Sequence, residues 1–163
     1  MKIILAKSAG YCFGVRDAVN AAYDLSKEHG EVYMLGDIVH NENVVEDLEK
    51  KGVKVVEKLE EIPKDKPVLF RAHGTSKDVW KKAEDKKMNI IDATCPLVHD
   101  IHREVKELHA EGRKIIIIGD HGHDEVIAIA SQVDGAIIVA SIEEAEELRK
   151  TKKAGVVSQS TQA

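Results

Sequence analysis

The chain has 163 residues, of which 43% are hydrophobic and 33% charged, and its formal net charge is −5. This composition predicts a globular protein, and the negative charge argues against a general nucleic-acid binder, which would need a basic face. No apolar run approaches the roughly 20 residues of a membrane-spanning helix, and the apolar stretch after Met1 is too short for a signal peptide. We therefore expect a cytoplasmic protein that has no membrane partner.

Short apolar runs alternate with segments of helical periodicity along the whole chain. The runs predict strands over residues 3–6, 32–35, 53–56, 68–71, 89–92, 115–118, 136–140 and 155–158. The periodic segments predict helices over residues 15–28, 42–51, 77–87, 97–111, 123–132 and 142–149. The stretch 115–118 contains only isoleucine, which predicts a strand buried on both faces. Alternation of this kind predicts α/β architecture, with mostly parallel sheets and crossover helices.

The alternation divides into two similar small α/β units, which we place at residues 1–96 and 97–163. Ligands of parallel α/β sheets gather beyond the C-terminal ends of the strands. We therefore expect a ligand site at the strand ends between the two units. The last predicted strand is followed by no predicted helix, so we also expect that a third unit is not represented.

The chain contains two cysteines, Cys12 and Cys95, and each lies in a turn between a predicted strand and a predicted helix. A thiol near a helix N-terminus is favoured as thiolate, the form that binds metals and does redox chemistry. With no secretion signal, a structural disulfide is not expected. Zinc would require four ligands, and the two cysteines with two histidines would supply them. An iron–sulfur cluster would require mainly cysteine thiolates, of which two are too few for a complete site.

Other reactive side chains also follow predicted strands. His40, His73 and His123 each occupy such a position, and Ser160 and Thr161 follow the last strand. One such histidine is usually a loop residue satisfied by the backbone, but three at equivalent strand ends favour a shared site. Glu125 either complements the dipole of the helix that begins beside it or delivers protons from a shielded pocket. His99 and His102 lie beside the apolar stripe of their helix, which predicts a solvated face.

These turns together resemble the LytB/IspH family, the 4-hydroxy-3-methylbut-2-enyl diphosphate (HMBPP) reductases. The matching stretches are AGYCFGV around Cys12, GDIVHN around His40, RAHG around His73, DATCPLV around Cys95, GHDEV around His123 and QST at residues 159–161. Their order and spacing agree along the whole chain. The family usually has a proline after the third histidine, where this chain has Asp124, a change that we expect to be compatible with a surface position.

The resemblance implies three α/β units around a central iron–sulfur cluster of the 4Fe-4S type, and an oxidoreductase activity. The reaction would be the reductive dehydroxylation of HMBPP to isopentenyl and dimethylallyl diphosphates, with electrons from a protein such as ferredoxin or flavodoxin. By motif, Cys12 and Cys95 would be cluster ligands, and Glu125 would belong to the proton relay. The diphosphate would be bound by the remaining motif residues, His40, His73, His123, Ser160 and Thr161.

Three alternatives remain open at this point. A third cluster cysteine and a Ser-x-Asn motif of the family are not present, so the shortened chain is expected to have impaired activity. Two chains would supply four cysteines, which predicts a homodimer around a shared cluster. A metal- or phosphate-binding scaffold without activity is the third alternative, and its exposed apolar surface would favour aggregation.

Overall fold

The computed structural model describes residues 1–7 and 9–162. Its helices are α1 (Phe13–His29), α2 (Glu42–Lys50), α3 (Lys77–Asp85), α4 (Pro96–Ala110), α5 (Asp124–Ala130) and α6 (Ile142–Glu146). Its strands are β1 (Val32–Leu35), β2 (Val53–Val56), β3 (Pro67–Phe70), β4 (Asn89–Asp92), β5 (Lys114–Ile118), β6 (Ile137–Val139) and β7 (Ala154–Ser158). A short 3-10 helix, Leu59–Glu61, lies between β2 and β3.

The strands form two separate parallel sheets. The first has the order β2-β1-β3-β4, and the second has the order β6-β5-β7. Every pairing in both sheets is parallel. Parallel neighbours need crossover connections, which the alternating helices supply. The predicted α/β class with two parallel-sheet units is confirmed.

Local sequence signals fix several helix ends. Asn41 caps α2, because its side-chain oxygen accepts a hydrogen bond from the Val44 N–H at 3.3 Å. Ser141 caps α6 in the same way through the Glu144 N–H, also at 3.3 Å. Gly30 ends α1 with φ of +70°, a conformation that glycine adopts at little cost. The predicted ends of most other elements differ from the observed ones by a few residues, as is usual at fraying termini.

The first sheet is covered on both faces. One apolar cluster joins it to α1 and α2 through residues such as Ala22, Met34 and Leu48, and a second joins it to α3 and the 3-10 helix through residues such as Phe70 and Ala83. The alternate residues of β1 therefore point into different clusters, which is why all of β1 is buried. This double cover holds the strand ends of β1 and β3 in fixed positions.

The second sheet has a single apolar cluster, in which Ile115 and Ile117 pack with residues of α4 and α5. The prediction that residues 115–118 are buried on both faces is wrong, because Ile118 is 44% exposed. Alternate side chains of a strand point to opposite faces, and the described residues supply an apolar cluster on one face only. The isoleucine run therefore behaves as a half-buried strand.

The predicted first strand at residues 3–6 is also wrong. This segment has no strand partner among the described residues, and Ile3, Ile4 and Leu5 are at least 78% exposed. Apolar character favours a strand, but a strand forms only where a neighbour satisfies its backbone groups. No helix within residues 1–7 and 9–162 is long and apolar enough to cross a membrane.

Candidate functional site

Three histidines from the two units converge on one cluster. His40 lies in the turn after β1, His73 in the turn after β3, and His123 immediately before α5. The rings of His40 and His73 are stacked with centroids 4.2 Å apart, and the His123 ring lies 5.4 and 5.7 Å from them. Strand ends of both sheets thus contribute imidazoles to one histidine cluster.

His73 is half-buried in the histidine cluster. Its surroundings determine the charge state of its ring. Burial, followed by the neighbouring His40 and His123, lowers the pKa of His73 to about 4. Its Nδ1 atom is buried and has no hydrogen-bond partner among the described residues. At neutral pH this ring is therefore uncharged and retains an unused polar atom, which a bound ligand could satisfy.

His123 has a defined orientation because it is the N-cap of α5. Its Nδ1 atom accepts a hydrogen bond from the Glu125 backbone N–H at 3.2 Å. When the ring is neutral, an accepting Nδ1 assigns the proton to Nε2. The Nε2 atom is then a hydrogen-bond donor suited to an anionic oxygen, and Nδ1 is occupied by the helix.

Glu125 is 1% exposed and is joined to Ser160 by two hydrogen bonds. Its Oε1 accepts from the Ser160 backbone N–H at 2.5 Å, and its Oε2 accepts from the Ser160 hydroxyl at 2.8 Å. Both carboxylate oxygens are thus used, and the exposed Ser160 separates Glu125 from solvent. A carboxylate in this position can exchange a proton with the outside through the serine hydroxyl.

Thr161 is not part of the Glu125 contact, since its hydroxyl accepts a hydrogen bond from Gln159 Nε2 at 2.7 Å. Gln159 is a buried residue that the sequence analysis did not select. Its Oε1 accepts the Asp120 backbone N–H at 3.0 Å, so it connects the turn after β7 with the turn after β5. The sequence signal that could have identified Gln159 was its position directly after the last strand, beside Ser160.

The two cysteines are the N-cap residues of α1 and α4, and neither forms a disulfide. Cys12 is exposed and Cys95 is half-buried, and neither side chain caps its own helix. A Cβ atom built on Gly14 would lie 2.4 Å from Cys95 Sγ, so the sulfur occupies space beside the first turn of α1. The Cys95 N–H also donates to the Ala72 carbonyl at 2.9 Å, which places Cys95 next to the His73 turn.

The donor chemistry suits two thiolate ligands of a metal group. Within residues 1–7 and 9–162, no group of three or more Cys, His, Asp or Glu is arranged to hold a metal ion. The zinc site of two cysteines and two histidines that the sequence allowed is therefore not assembled in this part of the chain. Two free thiols at helix N-termini fit a cluster that takes its other ligands from elsewhere.

The predicted solvated face around His102 is wrong for that residue. His102 is 8% exposed, and burial lowers its pKa to about 4, with His99 and Lys106 adding to the effect. A Cβ atom on Gly74 would lie 3.2 Å from His102 Cε1, so the ring packs under the turn that carries His73. His99 is exposed, as predicted, because α4 presents it to solvent.

An ion pair crosses between the two units beside the histidine cluster. The Arg71 guanidinium donates through Nη1 to Asp124 Oδ2. The side chains are 24% and 31% exposed, so Asp124 is a half-buried residue that remains in reach of solvent. Arg71 and Asp124 were both present in the motifs, but their pairing left no signal in the sequence.

The comparisons with known proteins match this architecture. A sequence model of the family described as LytB protein matches residues 3–163. The chain belongs to the LytB family. Relatives named 4-hydroxy-3-methylbut-2-enyl diphosphate reductase include those of Caldanaerobacter subterraneus, 45% identical over 166 residues, and Clostridioides difficile, 41% identical over 165 residues. Each alignment covers 99% of this chain, but only 58% and 59% of the respective relative.

Two solved LytB-type structures share the fold. The reductase from Plasmodium falciparum superposes with a TM-score of 0.91 at 32% identity, covering 96% of this chain and 50% of that one. A second structure, described as (E)-4-hydroxy-3-methyl-but-2-enyl diphosphate reductase, the terminal enzyme of the non-mevalonate pathway, gives 0.86 at 36% identity, covering 99% and 59%. The resemblance inferred from the motifs is confirmed. The chain spans less than three fifths of the length of these curated relatives.

Proposed function

We propose that this chain carries the diphosphate-binding and proton-delivering part of an iron–sulfur HMBPP reductase. The reaction would be the reductive dehydroxylation of HMBPP to isopentenyl and dimethylallyl diphosphates. The observation that carries the proposal is the convergence of His40, His73 and His123, drawn from both units, at the turn that also contacts Cys95. The names of the relatives that match the whole of this chain support the same substrate.

The histidine cluster would bind the diphosphate. His123 offers Nε2 as a donor because α5 occupies its Nδ1, and His73 has a buried Nδ1 that no described residue satisfies. Donors held in place before the ligand arrives bind anionic oxygens with little reorganisation. Ser160 and Thr161, at the end of β7, would add hydroxyl groups around the same ligand. We assign all five residues to substrate binding.

Glu125 would be the catalytic acid–base residue. Its carboxylate is shielded from solvent and contacts Ser160 through both oxygens, so a proton can pass by the serine hydroxyl to a hydroxyl group bound next to it. The substrate's C–O bond breaks and the hydroxyl leaves as water once it is protonated. The role of the protein here is to keep a proton at this position and to exclude bulk water.

Cys12 and Cys95 would be two ligands of a 4Fe-4S cluster, with the remaining ligands supplied from outside the described residues. When bound, such a cluster supplies the two electrons that the dehydroxylation consumes. An electron-donor protein of the ferredoxin or flavodoxin class would deliver them, in the cytoplasm. We further propose that the unit boundary lies between residues 96 and 97, just after the first residue of α4, which follows the first sheet.

A second arrangement is a homodimer that shares one cluster between two copies of the chain. The observation in its favour is that the described residues assemble no metal site of three or more ligands, while two copies would bring four thiols. In both arrangements Cys12 and Cys95 are iron ligands. The two differ in the number of clusters per chain.

The test is the iron and acid-labile sulfide content after anaerobic reconstitution, with molecular mass from sedimentation. About one cluster per chain in a monomer supports the first arrangement, and one per two chains in a dimer supports the second. The control is the double variant C12S/C95S, which should bind neither iron nor sulfide. Equal iron in the control and the parent would contradict the assignment of both cysteines, and stoichiometric zinc without sulfide would favour a zinc-binding scaffold.

A further inference from the structure

We propose that the Arg71–Asp124 ion pair holds the two units at the separation that the histidine cluster requires, so that Asp124 strengthens diphosphate binding despite its negative charge. Arg71 and Asp124 are positioning residues in this proposal, because they act through His73 and His123. The inference rests on the proposed diphosphate function, and it assigns the positioning of the histidine cluster to one ion pair of this chain.

The first argument is the location of the ion pair in the chain. Arg71 follows β3 and is two residues from His73, whereas Asp124 directly follows His123 at the start of α5. The pair therefore joins the backbone of the first unit to that of the second, next to one phosphate-binding histidine on each side. A change in its length would alter the distance between the His73 and His123 rings, which is now 5.7 Å.

The second argument is that none of the three apolar clusters joins the two units. Each apolar cluster among the described residues belongs to one sheet, and none contains residues of both. Other contacts do cross between the units: the Lys77 N–H donates to Ser131 Oγ at 3.0 Å, and Gly74 packs against Val98 and Ala128. Domains without a large shared apolar core move relative to each other unless specific contacts restrain them. The ion pair is such a restraint, and it lies at the site.

The third argument is that the fold directs Arg71 toward its partner. Gly36, at the end of β1, has φ of +66°, and a Cβ atom there would lie 2.8 Å from Arg71 Nη1. The guanidinium thus lies across the backbone of Gly36, in space that a side chain would fill. Its Nε is buried without a partner among the described residues, a cost that the fold tolerates in order to keep Arg71 in this position.

The fourth argument concerns charge. Asp124 raises the pKa of His73 and Arg71 lowers it, so the two charges oppose each other at the cluster. As a pair they contribute little net field to an incoming anion. Asp124 alone, however, would repel a diphosphate. Its presence one residue from His123 is understandable if its geometric role outweighs this repulsion.

Because Asp124 repels an anion, simple electrostatics and the positioning role predict opposite effects of removing its charge. The affinity for inorganic pyrophosphate is measured by titration calorimetry for the parent chain and for Asp124→Asn. Simple electrostatics predicts tighter binding by the variant, because a negative charge has been removed near the site. The positioning role predicts binding about five-fold weaker, within the range of coupling between neighbouring residues. An unchanged or higher affinity of Asp124→Asn overturns the proposal.

The matched control is Asp120→Asn, which removes the same charge from the turn directly before α5. Asp120 is exposed, and its side chain forms no ion pair or hydrogen bond among those the structure describes. We expect its affinity for pyrophosphate to be equal to or slightly higher than that of the parent. Equal weakening in both aspartate variants would show a general effect of the turn, which also overturns the proposal.

The charge-exchanged double variant R71D/D124R supplies the rescue. It should recover the affinity of the parent to within about two-fold, since an opposite-charge pair again links the units. Thermal melting confirms that each variant is folded. A double variant that is folded but no better than Asp124→Asn contradicts the proposal. If the parent chain does not bind pyrophosphate at all, the diphosphate function itself fails first, and the inference falls with it.

Discussion

Gly14 and Cys95 are in direct contact: a Cβ atom at position 14 would lie 2.4 Å from Cys95 Sγ and 3.0 Å from Cys95 Cβ. Real Cβ atoms do not approach other atoms this closely, so position 14 must lack a side chain as long as the sulfur stays where it is. The absence of a side chain thereby lets the first turn of α1 approach the first turn of α4. This contact brings the two cysteine turns together. A methyl group added at position 14 tests it.

Gly14→Ala is expected to have an effect opposite to the usual one. In a helix interior, alanine normally stabilises relative to glycine by roughly 1 kcal/mol. Here the methyl group would displace Cys95, and overpacking of this kind costs roughly 1–3 kcal/mol. Urea unfolding should show the loss, and iron uptake after reconstitution should fall. Asn20→Ala, at an exposed position of the same helix, should be neutral or stabilising. A stabilised Gly14→Ala variant with parental iron content would contradict the contact.

His123→Asn separates the capping role of this residue from its proposed ligand role. Asparagine is a favourable N-cap, so it should continue to accept the Glu125 N–H and preserve stability to within about 0.5 kcal/mol. It lacks the Nε2 donor, and pyrophosphate affinity should fall roughly ten-fold, the equivalent of one lost hydrogen bond to a charged group. Calorimetry and thermal melting are measured on the same sample. Parental affinity in a stable His123→Asn variant would remove His123 from the binding site.

Glu125→Gln and Glu125→Ala distinguish the structural and chemical roles of this carboxylate. Glutamine can still accept the Ser160 N–H, whereas alanine leaves that group unpaired and should cost roughly 1–3 kcal/mol of unfolding free energy. Neither side chain can hold and release a proton. Under the proposed function, both variants should lose roughly 100- to 10,000-fold in turnover relative to the parent chain in a reductase assay. Substantial turnover by a folded Glu125→Gln variant would show that the proton takes another route.

The buried His102 predicts a pH dependence of stability. Burial lowers its pKa from 6.5 to about 4 in the folded chain, so the unfolded chain takes up the proton first as the pH falls. Stability is therefore retained above about pH 6.5 and is lost toward pH 4, by roughly 3 kcal/mol from this residue.

Urea unfolding between pH 7 and pH 4 measures this loss. His102→Gln should show a shallower decline than the parent, because one group that gains a proton on unfolding has been removed. His109→Gln is the matched control, since His109 is exposed on the same helix and is not one of the groups that shift the pKa of His102. If the unfolding free energies of His102→Gln and the parent decline in parallel as the pH falls, His102 does not titrate in this way.

Local signals in the sequence were sufficient for most of the elements and for the kind of residue at their ends. The helices predicted from residues 42 and 142 begin there, capped by Asn41 and Ser141, because an N-cap depends only on a side chain and the backbone a few residues further on. Cys12 and Cys95 were placed at helix starts because helical periodicity begins directly after each of them. The parallel class of both sheets followed from the alternation of strand and helix, and the motifs identified the family.

The sequence by itself thus determined most of the elements, the parallel sheets and the residues at the ends of the observed strands. Only the tertiary structure decided that residues 3–6 find no partner, that His102 is buried under the His73 turn, and that Arg71 reaches Asp124 across the two units. These outcomes depend on how distant segments are placed relative to one another. Periodicity and capping are set by neighbours within a few positions, whereas a contact between position 71 and position 124 arises only after both units have folded and met.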